Sequence, residues 1–305
     1  MKILITGGCG YLGCSVLEYL LLTKELEEVI IYDSLYRKNA NFFLREKLPN
    51  PQKVRFIQGD ILDTYTFERA LKGVEVVLHL AAKVSTPFAD TNGHEFDQIN
   101  NWGTGIVADV LEQQNSVRKV IYSSSIAVYG DTQGKPVDEE SITAPKSFYG
   151  ISKLKGEKHI QRLSKKKETM IFRIGNVFGY NPCIRLDAVI NRFLFDAQTR
   201  GRIEIHGNGE QKRPFTSVAC VGQYLAKACL QEHNTGIFNL VNYNLTINEV
   251  AAYVQELYPD LEQLRLDQHM EMRSSAATSG TLNNFQDCFE SFDFHLQQLK
   301  HKFSF

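Results

Sequence analysis

Tyr149 and Lys153 stand four residues apart in Ser147-Phe148-Tyr149-Gly150-Ile151-Ser152-Lys153, a spacing that puts a phenol and an ammonium on one face of a helix. A free phenol titrates near ~10. A cation held close by favours the phenolate and brings the group toward the range of a working acid/base. The pair therefore predicts proton exchange with a sugar or alcohol hydroxyl.

Such chemistry needs an electron carrier, and the first residues predict one. Lys2-Ile3-Leu4-Ile5-Thr6 is a short apolar run that breaks into Gly7-Gly8-Cys9-Gly10-Tyr11-Leu12-Gly13 and then into a helical pattern through Val16, Leu17, Leu20 and Leu21. Strand, glycine turn and helix in that order form a dinucleotide-binding opening. Gly7 allows the tight turn, Gly10 lets backbone N–H groups approach a pyrophosphate at the helix N-terminus, and Gly13 lets helix and strand pack closely. Asp33 follows at the end of Val29-Ile30-Ile31-Tyr32. Its carboxylate is placed to accept from the adenosine ribose hydroxyls and to repel a 2′-phosphate, which favours NAD over NADP. Arg37, just past this strand, pulls the other way.

The elements that must position these groups read as alternating strand and helix. Strands are expected at 2–6, 29–32, 54–58, 75–80, 118–123 and 169–174, with helices near 12–22, 64–72, 94–115 and 148–166. This predicts an α/β fold with a doubly wound parallel (Rossmann) sheet covered on both faces. The second half loses the alternation. Helices near 185–200, 217–231 and 246–257 are separated by short strands at 203–205 and 237–240 and a turn at 207–209, predicting a smaller C-terminal α/β substrate domain. The expected division is 1–175 for the dinucleotide-binding domain, with segments near 213–242 returning to it, and 176–305 mainly for substrate. Ligands of open α/β sheets bind at the carboxyl edge, where the second domain would grow.

The 305 residues carry a net charge of −1 with both signs interspersed, so no basic field exists for nucleic acid. No apolar stretch approaches a membrane span. The six cysteines (9, 14, 183, 220, 229 and 288) form no C-x-x-C pair, Met1 runs directly into a strand, and the expectation is reduced thiols in a cytoplasm. Lys165-Lys166-Lys167 reads as a solvated helix end. The tail through Phe289, Phe292, Phe294, Leu296 and Leu299 reads as core or lid packing.

Further segments occur in order: Gly59-Asp60-Ile61, His79-Leu80-Ala81-Ala82, Asn100-Asn101-Trp102-Gly103-Thr104, Ser123-Ser124-Ser125-Ile126-Ala127-Val128-Tyr129-Gly130 and Arg173-Ile174-Gly175-Asn176-Val177-Phe178-Gly179. With the glycine turn and Tyr149–Lys153, this ordered set over roughly residues 1–250 resembles the extended short-chain dehydrogenase/reductases, and within them the nucleotide-sugar epimerase/dehydratase group. The resemblance implies that Asp60 and the main chain at Ile61 bind adenine, and that Leu80, Ala81 and Ala82 line the cofactor phosphates beside Gly10, Tyr11, Leu12 and Gly13. It also puts Asn100 and Ser123 at the cofactor, although Asn100 and the Gly103-Thr104 pair read equally well as turn or core. Ser125 would hydrogen-bond the reacting sugar oxygen, Tyr149 would exchange its proton, and Lys153 would hold the nicotinamide ribose. Asn176 and Arg213 would contact the nucleotide diphosphate, with Arg273 a candidate second ligand; a guanidinium fork matches phosphate oxygens. Lys83, just past the cofactor segment, reads as a surface lysine or, alternatively, as a residue facing substrate.

Departures matter as much. The group's 4,6-dehydratases carry an Asp-Glu pair in the two positions before Val-Tyr-Gly, and here these are Ile126 and Ala127. The group's Arg-Asp-Phe becomes Arg213-Pro214-Phe215, which would stiffen a loop, and Arg-Pro-Gly-Asp becomes Arg273-Ser274-Ser275-Ala276. The resulting expectation is an NAD-dependent nucleotide-sugar epimerase acting at C4 of a UDP-hexose and working as a homodimer. The alternatives are a nucleotide-sugar or other alcohol reductase or dehydrogenase on the same scaffold, and a non-catalytic NAD-binding regulator.

Overall fold

Seven parallel strands form the central sheet of the computed structural model, which describes residues 1–84, 92–231, 235–266, 273–280 and 290–303. Strands β1 (Lys2–Thr6), β2 (Glu28–Asp33), β3 (Val54–Gln58), β4 (Val76–His79) and β5 (Lys119–Ser125) are followed by Glu168–Ile174 and Gly236–Leu240. Across the sheet the order is Gly236–Leu240, Glu168–Ile174, β5, β4, β1, β2, β3. The order reverses beside β1, and the crevice at the carboxyl ends of β1 and β4 is where such a sheet binds ligands.

Alternation along β1 explains why both faces must be covered. Ile3 and Ile5 join Val29, Ile31, Val76 and Leu78 in one core with helix α1 (Tyr11–Leu20) and the helix Val218–Leu230. Leu4 joins Ile30, Tyr32 and Val77 in the opposite core, against Phe67, Val107, Leu111 and Ile160. Side chains of period two on a strand permit no other division. A third core lies in the second half, where Phe178, Phe193, Ile205, Phe215, Val250 and Phe292 pack together.

The expected strands and helices are present to within a few residues, with several additions. The expected helix at 94–115 is α-helical over Gly93–Phe96, widens into a π-helical stretch over Asp97–Gly103, and resumes as Thr104–Gln113. The three-stranded sheet Tyr243–Thr246, Lys212–Ser217, Asn176–Phe178 was not anticipated, and Pro214 lies in its middle strand rather than in a loop. Proline is tolerated there because pairing with Asn176–Phe178 begins only at Phe215, so no ladder bond to that neighbour needs its missing N–H. Of the tail residues, Phe292, Leu296 and Leu299 are buried, Phe294 is exposed, and Phe289 lies outside the described residues. Lys167 is not a solvated helix end: its ammonium donates to the carbonyls of Gln114 and Val117, both at 2.7 Å, which its burial requires.

Candidate active site

β1 ends at Thr6, the chain turns through Gly7, and α1 begins at Tyr11. Gly7 has φ +67°, and a Cβ there would sit 2.7 Å from the backbone of Ala81. A Cβ on Gly13 would sit 2.5 Å from the Gly8 carbonyl oxygen. Both glycines are therefore dictated by close approach. Thr6 ties the turn to the next segment: Leu80 N donates to Thr6 O at 3.1 Å and Ala81 N to Thr6 Oγ1 at 3.2 Å. Behind it His79 lies fully buried between Thr6 Oγ1 (2.7 Å) and Thr104 Oγ1 (3.1 Å). Burial, helped by the charge of Lys153, pushes its pKa down to about 3. The sequence contained His79 and Thr6, but nothing in their spacing marked them as a hydrogen-bonded brace.

At the end of β2 both carboxylate oxygens of Asp33 accept backbone N–H bonds, Oδ2 from Cys9 at 3.0 Å and Oδ1 from Leu35 at 2.8 Å. Burial raises its pKa and the two amides oppose that. Asp60 Oδ1 accepts from Leu62 N at 2.9 Å.

Tyr149 and Lys153 share the helix Phe148–Arg162, whose first turn is fixed by Ser147 Oγ accepting from Gly150 N at 3.1 Å. Ser125 ends β5, its Oγ accepts from Ala127 N at 3.2 Å, and it lines the cavity with Tyr149. Here the electrostatics differ from expectation. Burial raises the Tyr149 pKa, and the opposing influences are the Ser125 hydroxyl and the charge of Arg185 rather than Lys153. The Lys153 ammonium lies 4.3 Å from the centroid of the Tyr122 ring. Burial pushes its pKa down to about 7 against the pull of Glu157. Spacing on a helix brought the two side chains to one face without joining their charges.

Beneath them is a buried network. Glu157 accepts from Arg173 Nε (3.0 Å) and Nη2 (2.8 Å) and from Ser124 Oγ (2.5 Å), while Arg173 Nη1 donates to Tyr129 Oη at 2.8 Å. Tyr129 in turn donates to Asn239 Oδ1 at 2.9 Å, so the network joins β5, both strands beyond it and the catalytic-candidate helix.

On the second-half side, Asn176 Nδ2 donates to Pro214 O at 2.9 Å, tying two strands of the small sheet. Arg213 lies in the strand paired with Tyr243–Thr246; burial and the nearby Arg273 charge lower the pKa of its side chain, and the Asp131 charge opposes them. Arg273 is brought there because its neighbours are docked: Lys212 N donates to Ser274 Oγ at 3.0 Å and Ser275 N to Lys212 O at 2.9 Å. The acid missing from Arg273-Ser274-Ser275-Ala276 has a local substitute, since Ser274 N donates to Asp131 Oδ1 at 3.3 Å.

These groups face one cavity of about 1020 Å³. Its wall includes Gly7, Gly10, Tyr11, Leu12, Gly13, Asp33, Asp60, Ile61, Leu80, Ala81, Ala82 and Ser123 at one end, and Ser125, Tyr149, Lys153, Asn176, Arg213 and Arg273 at the other. Asn100 is the exception. It sits fully buried behind the wall, where its amide grips the backbone of Lys83 (2.8 and 2.9 Å) and Ser152 Oγ (3.0 Å). The widened π-helical turn directs it inward, so it shapes the end of the Leu80–Ala82 segment without lining the cavity. Lys83 does line the cavity and pairs with Glu95 at 2.5 Å, so it is not a simple surface lysine. Arg185 and Asp187, joined by two bonds of 3.0 and 2.5 Å, also reach the wall; no sequence pattern singled them out.

Fold and site together define a nucleotide-binding α/β protein with ionisable groups at the sheet's carboxyl edge. The profile of the NAD dependent epimerase/dehydratase family matches residues 3–243. A dTDP-D-glucose 4,6-dehydratase of Mus musculus is 29% identical over 84% of this chain and 72% of its own. The uncharacterized UDP-glucose epimerase YtcB of Bacillus subtilis (strain 168) is 32% identical over 72% of this chain and 70% of its own. Among solved structures, UDP-N-acetylglucosamine 4-epimerase from Methanobrevibacter ruminantium M1, in complex with UDP-N-acetylmuramic acid, superposes with a TM-score of 0.85 at 25% identity, covering 98% of this chain and 97% of that one. UDP-glucuronic acid 4-epimerase from Bacillus cereus, in complex with NAD, shares the fold at a TM-score of 0.82 and 21% identity, covering 99% of each. The chain belongs to the NAD dependent epimerase/dehydratase family. It is an enzyme of that family, and NAD is its cofactor. Among the described residues no helix is long and apolar enough to cross a membrane, and no cluster of His, Cys, Asp and Glu could hold a metal ion.

Proposed function

We propose that this enzyme acts on a nucleotide sugar and epimerises it at C4, a UDP-hexose being the substrate to test first. The cavity supplies what such a substrate needs. Arg213 is a half-buried cation on the cavity wall, set beside Arg273 with the charge of Asp131 opposing their repulsion, and a diphosphate is the kind of anion that would relieve it. NAD would be held by the Gly7–Gly13 turn, Asp33 and Leu80–Ala82, with the first turn of α1 beginning at Tyr11 on the cavity wall. When bound it supplies hydride acceptance and return.

The single observation that carries the reaction type is that Ser125, Tyr149 and Lys153 line the same cavity, with Ile126 and Ala127 beside them. Ser125 would hold the sugar oxygen while Tyr149 takes its proton, and Lys153 would hold the nicotinamide ribose. No carboxylate stands at 126 or 127 to remove water from the sugar, which disfavours dehydration by the route of the group's 4,6-dehydratases. The named relatives include a dehydratase and epimerases, whose common element is the family scaffold rather than the overall reaction. A reductase or dehydrogenase would use the same three side chains with an exchanging cofactor.

A homodimer fits this reading: Trp102 and Phe148, on two neighbouring helical segments, are 67% and 49% exposed and would pair with their copies in a second subunit. The five described cysteines are free, which suits a reducing cytoplasm.

Releasing and identifying the nucleotide that co-purifies, then following UDP-hexoses by proton NMR, tests the assignment. Retained NAD and interconversion of the two C4 epimers are expected. An empty site with stoichiometric NADH turnover would assign a reductase or dehydrogenase instead, and loss of the C6 hydroxyl would assign a dehydratase.

A further inference from the structure

Arg213 and Arg273 reach the cavity from distant parts of the chain, and the residues beside them tie the two together. Lys212 N donates to Ser274 Oγ at 3.0 Å, and Ser275 N donates to Lys212 O at 2.9 Å. The other side of Ser274 is held by the loop 131–134. Ser274 O accepts from Thr132 N at 3.1 Å and from Gly134 N at 3.2 Å, and Ser274 N donates to Asp131 Oδ1 at 3.3 Å. Ala276 N donates to Thr132 Oγ1 at 3.2 Å, and Ala276–Ala277 pairs in parallel with Pro136–Val137.

The loop has a fixed shape of its own. Asp131 Oδ1 also accepts from Gln133 N at 2.9 Å, which closes a turn with Gln133 at φ +52°. A Cβ on Gly134, at φ +73°, would sit 3.2 Å from Ser274 Oγ, so loop and segment approach closely. One carboxylate oxygen thus fixes its own loop and receives the peptide N–H that follows Arg273. The loop comes just after Ile126–Tyr129 and Gly130, and so continues the part of the wall expected to meet the sugar.

We propose that Asp131 is a positioning residue for the substrate diphosphate: by holding the peptide N–H that follows Arg273, it keeps that guanidinium at the cavity wall beside Arg213, where one diphosphate can engage both. The inference rests on the reading of the substrate as a nucleotide sugar. Two contributions of the carboxylate oppose each other. As a hydrogen-bond acceptor it keeps Arg273 in place and strengthens anion binding; as a negative charge it offsets the cations that draw the anion in and weakens binding. Substitution separates them, because Ala removes acceptor and charge together whereas Asn keeps an acceptor oxygen and removes the charge.

The NAD-bound parent, Asp131→Ala and Asp131→Asn are titrated with UDP and dTDP by calorimetry, and then assayed with the nucleotide sugar the parent turns over. Asp131→Ala should weaken binding of the nucleoside diphosphate and raise KM by about tenfold, as expected for loss of one charge-assisted bond, with kcat within about twofold. Asp131→Asn should bind as tightly as the parent or more tightly. Glu140→Gln, which removes a charge from an exposed position further along the same segment, should match the parent. Equal behaviour of the Ala and Asn variants would overturn the proposal, since charge alone would then account for Asp131. A fall in kcat with KM unchanged would overturn it too, as would loss of bound NAD and a collapsed urea midpoint in Asp131→Ala, which would give the residue a role in holding the whole fold. A parent that binds neither UDP nor dTDP would remove the nucleotide-sugar reading itself, and this inference with it.

Discussion

Tyr149 meets the cavity as a phenol, because burial outweighs the influence of the Ser125 hydroxyl and the Arg185 charge that favour ionisation. Its usefulness is therefore as a group that changes protonation during the reaction. Tyr149→Phe removes only the hydroxyl and should lower turnover by about 10² to 10⁴ while NAD stays bound; steady-state rates with fluorescence titration of the cofactor check both parts. Asp33 accepts two backbone amides yet still faces the cavity. Asp33→Ala should weaken discrimination against NADP, read as the ratio of the two dissociation constants, and an unchanged ratio would make Arg37 the selector. Both residues were legible from the sequence because a motif fixes their place in the chain. Arg185 was not, since its role depends on a fold of the second half that brings it to Tyr149 from a segment without periodic pattern.

At the scale of elements, the brace Thr6–His79–Thr104 ties β1, β4 and the helix Thr104–Gln113 under the cofactor turn. The folded protein keeps His79 neutral down to about pH 3, whereas the unfolded chain takes a proton below about 6.5. The unfolded state thus binds more protons in that window, and stability falls as pH falls through 6.5 toward 3, by up to about 1.4 kcal/mol per pH unit from this residue. Urea unfolding at pH 7.5 and 5.5 should show that loss, and His79→Gln should flatten the difference. Glu157 and Arg173 are 1% and 5% exposed in side chain. Glu157→Gln should cost about 3–5 kcal/mol by leaving Arg173 charged and underpaired, measurable from the urea midpoint. Strand and helix positions followed from apolar period, as in β1 and α1. The π-helical stretch and the middle strand containing Pro214 did not, because register and pairing with distant segments decide them.

For the molecule as a whole, the parallel sheet follows from alternation of apolar strand and amphipathic helix, and the two cores on its faces follow from period two. The cavity between the halves was legible only as a place, the carboxyl edge; its wall depends on the small sheet and the docked segment 273–277. Trp102 and Phe148 leave apolar surface on neighbouring helices. The protein should sediment as a dimer at micromolar concentration, and Trp102→Glu should shift it to monomer; a monomeric parent would remove the pairing.

The central claim is that Tyr149 and NAD carry a sugar through a C4 ketone and return the same hydrogen. Turnover of UDP-hexoses in heavy water measures it most directly. The account predicts a C4-epimerised product free of carbon-bound deuterium and no net NADH, because the hydride never exchanges with solvent. Deuterium on a ring carbon would contradict it by showing that a carbanion next to a carbonyl, rather than a returned hydride, made the new stereocentre.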